Sequence, residues 1–200
     1  SSYLSMSVTT AQNAGVLIVT AAGNDNDSVA SYLGGRSGVI AVAATDLNDV
    51  KASFSSYGSW VEVSAPGVGI YSTHYNRYSQ TSGYASWDGT SFASPITAGA
   101  AALLWSANPS MNYTQITALL MNTADSIDDE NPGFIGMLGS GRVNMLRALG
   151  DNEHRYPAEF PTMYDAINSS NDGDIVAVEG GITIDGITTV LGREIEVLGG

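Results

Sequence analysis

Among the 200 residues, the segment Gly89-Thr90-Ser91-Phe92-Ala93-Ser94-Pro95 carries the strongest chemical signal. It lies between a predicted strand and a predicted alanine-rich helix. Proline inside a helix removes a hydrogen bond and crowds the preceding turn, so Pro95 is best placed in a first turn, which predicts a helix start near Ser91. A serine there would hold its oxygen at the positive end of the helix dipole, where negative charge developing on reacting atoms is favoured. Gly89 and Ala93 leave space for a substrate backbone to approach. The plainer alternative makes Ser91 or Thr90 an N-cap, the common use of such residues at strand-to-helix junctions. The heptapeptide alone does not choose between them.

Asn24 shifts the balance. It follows an apolar run and the small residues Ala21, Ala22 and Gly23, so its amide would project from the carboxyl end of a strand, where functional groups gather in open α/β sheets. An amide there can donate to a developing oxyanion, beside a backbone N–H at Ser91. Taken alone, Gly-Asn after a strand is more often a turn, but chance explains the pair poorly. A serine hydroxyl also needs a base to take its proton. The chain offers His74 and His154. The first falls in a polar stretch, 73–82, read as loop, and the second in another; both are read as solvated surface residues rather than as the base.

The elements that must hold these residues read as an α/β grammar. Polar and small residues at 5–14 suit a helix closed by Gly15. Val16-Leu17-Ile18-Val19 and Val39-Ile40-Ala41-Val42-Ala43-Ala44 are unbroken apolar runs of the kind that parallel strands covered on both faces show. Shorter strands are predicted at 61–64, 70–73 and 84–87, with a break at Ala65-Pro66-Gly67. The alanine- and leucine-rich stretch 94–107 predicts a long buried helix closed by Pro109. Ile116, Leu119, Leu120 and Thr123 repeat at helical spacing behind a capping pair, Asn112 and Gln115. A short helix at 142–149 would complete this domain.

Composition sets the outer bounds. Hydrophobic residues make up 44% and charged residues 14%, as in ordinary globular chains. No run reaches the length of a membrane-spanning helix, and no signal peptide is visible. With 7 basic and 20 acidic residues the net charge is −13, which repels phosphate backbones and argues against nucleic acid as a partner. The charge falls unevenly, −3 on residues 1–100 and −10 on 101–200. An acidic surface with a single lysine suits an extracellular or saline setting, although plain solubility explains it equally well. Without cysteine there are no disulfides and no thiol chemistry.

Ala21-Ala22-Gly23-Asn24, Ala52-Ser53-Phe54-Ser55-Ser56-Tyr57-Gly58, Ala65-Pro66-Gly67 and the segment from Gly89 to Pro95 follow the order and approximate spacing of the subtilases, the subtilisin-like serine proteases. Gly141-Arg142-Val143-Asn144 resembles the start of that family's closing helix. The resemblance covers residues 1–149 and implies the C-terminal half of a subtilisin-like parallel-sheet catalytic domain. It makes Ser91 the nucleophile and Asn24 the oxyanion-hole donor. The family's aspartate and histidine precede its serine in chain order, so the resemblance implies that both lie outside this stretch and that these 200 residues alone are inactive. Backbone at Ala22 and Gly23 would line the pocket for the side chain before the scissile bond, with 31–35 closing its floor. The implied substrate is a polypeptide and no cofactor is required. Some members hold a structural cation such as calcium in a region that corresponds to Glu62 and the carbonyls of loop 34–38, whereas Glu62 by itself reads as a solvated surface residue. The sequence departs from the family at Phe92, where Met is usual, and at Ile96-Thr97, where His-Val is common.

Beyond Gly150 the polar, proline-containing stretch 150–161 reads as a linker. Residues 162–200 resemble the entry of a right-handed parallel β-helix. A short helix capped by Thr162 carries Met163, Tyr164 and Ile167, Asn171-Asp172-Gly173-Asp174 makes a turn, and strands at 175–178 and 195–198 are spaced as successive rungs. A generic β-meander fits the same residues. Modules of the β-helix kind often bind polysaccharide. The expected whole is thus a secreted serine endopeptidase with an appended all-β module. Its rivals are an adhesive or carbohydrate-binding surface protein with a decayed subtilase domain, or a polysaccharide-cleaving β-helix.

Overall fold

The structure, a computed structural model, describes residues 2–150, 153–156, 175–178 and 196–199. The chain divides into two compact units, Ser1–Met145 and Leu146–Gly200. In the first unit, helix α1 (Ser2–Asn13) leads into a three-stranded parallel sheet of β1 (Ile18–Ala21), β2 (Val39–Thr45) and β3 (Val63–Pro66), with β2 in the centre. β1 begins two residues later than the apolar run suggests. The reason is that the Val16 N–H closes the end of α1 on the Ala11 carbonyl at 3.0 Å, and Gly15 takes the left-handed φ of +81° that this closure requires.

All seven residues of β2 are buried, as expected of a strand covered on both faces. Helix α2 (Thr90–Ala107) packs on the sheet through Thr90, Ala93, Thr97, Ala100, Ala101 and Leu104, a single helical face. A second cluster joins Ala22, Ala43 and Val61 to Ile127 and Leu138, with Tyr57, Trp60 and Phe134 at its margin. The predicted break at 65–67 moves to the far side of Pro66. As the last residue of an edge strand, Pro66 needs no ladder donor, and the next N–H, of Gly67, returns to the Thr45 carbonyl at 2.9 Å.

Strands β4 (Ile70–Asn76) and β5 (Thr81–Trp87) form an antiparallel hairpin, longer than the predicted segments at both inner ends. The stretch 73–82 is therefore strand, turn and strand rather than loop. Its turn is fixed by the Asn76 side chain, which accepts from the N–H groups of Tyr78 and Ser79. Helix α3 (Tyr113–Asn122) carries the predicted capping box, with Asn112 Oδ1 accepting from Gln115 N at 3.0 Å and Gln115 Oε1 from Asn112 N at 2.9 Å. The closing helix α4 is shorter than predicted, Met145–Ala148.

The second unit contains β6 (Glu153–Tyr156), β7 (Ile175–Val178) and β8 (Glu196–Gly199), paired in parallel with Glu153 opposite Ile175 and Ile175 opposite Glu196. β6 stands inside the stretch read as linker, because its polar residues carry none of the alternation by which a strand is recognised in sequence. The rest of that linker, the helix expected after Thr162 and the turn at 171–174 lie outside the described residues, as does most of the expected β-helix module. Among the described residues no helix is long and apolar enough to cross a membrane.

Candidate active site

Helix α2 begins one residue before Ser91, so Pro95 is its sixth residue and lies past the first turn. The donor that proline lacks would have bonded the Ser91 carbonyl, four residues back. Neither Thr90 nor Ser91 is the N-cap. That position belongs to Gly89, with no side-chain cap, which removes the plainer explanation for the serine. Ser91 is exposed at the second helical position. On either side of it, the Thr90 N–H is taken by Asn24 and the Phe92 N–H by the Gly89 carbonyl. The Ser91 N–H lies between them with no protein acceptor among the described residues, one of the free donors that every helix start presents.

Asn24 follows the end of β1 and reaches across to this helix start. Its Oδ1 accepts from Thr90 N at 2.9 Å and from Thr90 Oγ1 at 2.8 Å. A backbone N–H can only donate, so the atom facing it must be the amide oxygen, and the Asn24 NH2 is the end left free. A Cβ placed on Gly89 would lie 3.0 Å from Ser91 Oγ and 3.6 Å from Asn24 Nδ2. The two atoms thus face one small space and cannot be farther apart than the sum of those distances. Gly89, at φ +155°, keeps that space open. Gly67 lies beneath it, accepting the Gly89 N–H at 2.8 Å. A Cβ on Gly67 would come within 2.5 Å of the Ala44 Cβ and 2.9 Å of the Gly89 carbonyl.

Thr90 is the site residue that sequence reasoning missed, since a threonine beside Ser91 could be seen only as a possible cap. It is 1% exposed, and its hydroxyl both donates to Asn24 and accepts from Gly23 N at 3.2 Å. The Gly23 carbonyl in turn accepts from Ser56 N at 2.9 Å. Both backbone polar groups of Gly23 are therefore engaged within the protein, and Ala22 is buried. The Gly23 N–H is thus spent inside the protein and is not offered to a ligand.

Two further sequence expectations are corrected. His74 stands in strand β4 of the hairpin, half-buried, its ring 5.6 Å from that of Trp87. Glu62 is half-buried rather than a solvated surface residue, and its Oε2 accepts the Ala41 N–H at 2.6 Å. Burial pushes its carboxyl above the usual range, against the opposing pull of backbone N–H donors. No cationic side chain pairs with it among the described residues, and no group of three or more His, Asp or Glu side chains placed to hold a metal ion occurs among them. His154 falls in β6.

Comparison with known proteins adds an independent line. The family model described as "Subtilase family" matches residues 1–153. Subtilisin BL of Lederbergia lenta is 44% identical over 144 residues, 72% of this chain and 50% of the relative. Thermitase of Thermoactinomyces vulgaris is 44% identical over 148 residues, 74% of this chain and 49% of the relative. The chain spans about half the length of these curated relatives. Among solved structures, a protease from Pseudoalteromonas arctica PAMC 21717 superposes with a TM-score of 0.65 at 33% identity, over 72% of this chain and 44% of that one. The patellamide maturation protease PatA superposes with a TM-score of 0.67 at 29% identity, over 74% and 56%.

Proposed function

Since the chain belongs to the subtilase family, we propose that it supplies the nucleophile and the oxyanion hole of an extracellular serine endopeptidase. The observation that carries this is the fixed Asn24 amide. Its oxygen is locked on Thr90, and its NH2 is left free beside Ser91 Oγ and the unpaired Ser91 N–H. In the proposed reaction Ser91 Oγ attacks the carbonyl carbon of a peptide bond as a base takes its proton. The two N–H donors receive the negative charge that forms on the carbonyl oxygen. The tetrahedral species collapses to an acyl-enzyme, the departing amine takes the proton from the base, and water then releases the acid by the same steps.

The base is contributed by polypeptide other than these residues: His74 stands in the hairpin with its ring 5.6 Å from that of Trp87, and neither it nor His154 has the flanking residues of the family's catalytic histidine. Ala22 and Gly23 form one wall of the pocket for the side chain preceding the scissile bond. Glu62, a half-buried carboxylate without a cationic partner, would with carbonyls of loop 34–38 hold a structural calcium ion whose part is to balance that charge. Residues 162–200 are assigned to a parallel β-helix module, a reading that the parallel pairing of β7 and β8 supports, with β6, from the stretch read as linker, paired beside them.

The test uses the parent protein that contains this chain and a fluorophosphonate, which labels activated serines. Labelling and hydrolysis of a peptide anilide should both vanish in Ser91→Ala. Undiminished labelling in that variant would overturn the assignment.

A further inference from the structure

The free end of the Asn24 amide is useful only if the loop behind it stays still, and hydrogen bonds on both sides of Asn24 hold that loop. Upstream, Gly23 is tied to Thr90 and Ser56. Downstream, one residue past Asp25, Asn26 takes a left-handed φ of +52° and donates its N–H to the Phe54 carbonyl at 2.9 Å. The Asn26 side chain is the acceptor for Lys51 Nζ at 2.8 Å.

Lys51 is the only lysine in the chain and is 8% exposed. Its ammonium donates also to the Ala52 carbonyl at 3.1 Å, and lies 5.2 Å from the centre of the Tyr57 ring and 4.8 Å from that of Phe134. Those two rings meet edge to face at 4.8 Å. The Lys51 backbone N–H is held by Asn131 Oδ1 at 2.7 Å. No carboxylate pairs with this ammonium among the described residues, and burial pushes its pKa below the ordinary lysine value. Burying such a group is unfavourable unless neighbours compensate. Here ring faces and neutral oxygens take that role, and one of those oxygens belongs to the loop that carries Asn24.

We infer that Lys51 is a positioning residue for the oxyanion hole. Seated over the Tyr57 and Phe134 rings, its ammonium pins Asn26 and so fixes the loop from which the Asn24 amide reaches Ser91. The inference rests on Asn24 being the oxyanion donor. Lys51 touches neither substrate nor reacting atoms. Its removal should act on kcat, because the oxyanion forms only after the substrate is bound.

Kinetics on the parent protein test this, with kcat expressed per fluorophosphonate-labelled site so that misfolded molecules do not count. Lys51→Met, which keeps the unbranched stem, should lower kcat about 10- to 100-fold with KM nearly unchanged, the range for small misplacements at a site. Lys51→Arg, which stays charged and stacks on rings, should restore most of it. Asn26→Gly accepts the left-handed φ and removes the acceptor with the rest of the side chain, so it should reproduce the Lys51→Met loss, while Asn26→Asp, which keeps an acceptor for the ammonium, should not; the pair decides the matter if Lys51→Met does not fold. In an Asn24→Ala background neither Lys51→Met nor Asn26→Gly should lower kcat further. If Asn24→Ala lowers kcat while Lys51→Met and Asn26→Gly do not, or if their losses add fully to that of Asn24→Ala, the role assigned to Lys51 falls and the oxyanion hole stands. If Asn24→Ala itself leaves kcat unchanged, both fall together.

Discussion

Replacing Thr90 by valine tests how the oxyanion donor is held. The two side chains are nearly isosteric, so at a residue 1% exposed the change removes a hydroxyl without opening a cavity. That hydroxyl makes two bonds, a donation to Asn24 Oδ1 at 2.8 Å and an acceptance from Gly23 N at 3.2 Å. Losing the first forfeits about 1 kcal/mol, and leaving the Gly23 N–H without a partner costs about 1 to 3 kcal/mol more, for a total of roughly 2 to 4 kcal/mol of stability. The Asn24 amide would then hang on the Thr90 N–H alone, free to swing its NH2 away from Ser91. A tenfold fall in kcat, or about 1.4 kcal/mol of transition-state stabilisation, is expected with KM little changed. Thr90→Ser keeps the oxygen and should keep kcat within about twofold while losing about 1 kcal/mol of stability for the missing methyl. The assay is steady-state hydrolysis of a peptide anilide by the parent protein, beside urea unfolding of each variant. Two outcomes would refute the reasoning. Thr90→Val could lose stability yet keep its kcat, or Thr90→Ser could lose kcat as severely as Thr90→Val, which would assign the effect to the methyl group.

Asn24→Ala should lower kcat by about 100- to 1000-fold with KM nearly constant, a magnitude established for the asparagine of subtilisin itself; a steady-state kcat equal to that of the wild type would contradict the role given to its amide. Gly89→Ala must place a Cβ at φ +155° and 3.0 Å from Ser91 Oγ, so about 1 to 3 kcal/mol of stability and most of the activity should be lost, as read by urea unfolding and anilide hydrolysis. Glu62 has a folded pKa above its unfolded value. In chelator, its contribution is therefore fully present below the unfolded pKa and is lost as pH rises from there through the folded value. Glu62→Gln should flatten that fall in the urea midpoint and abolish any rise in Tm that calcium gives the wild type; an unchanged pH profile would show that the carboxyl does not carry it.

The sequence alone determined the elements whose signals are local. Unbroken apolar runs marked β1 and β2, helical spacing behind Asn112 and Gln115 marked α3, and Pro95 marked the start of α2 near Ser91. These follow from periodicity, capping and the special backbone demands of glycine and proline, all of which act over a few residues. The same local logic misplaced what longer-range bonds decide. The Val16 N–H went to the end of α1 instead of the sheet, the polar stretch around His74 closed into a hairpin, and Pro95 was carried into the second turn of its helix. Only the tertiary structure decided which end of the Asn24 amide is free, because its partner Thr90 is 66 residues away in the chain. The coupling of Lys51 to Asn26, 25 residues apart, was likewise invisible to any local pattern. Residue types at the site could be read from the sequence, but their orientation depends on hydrogen bonds between segments that meet only when β1 and α2 pack together.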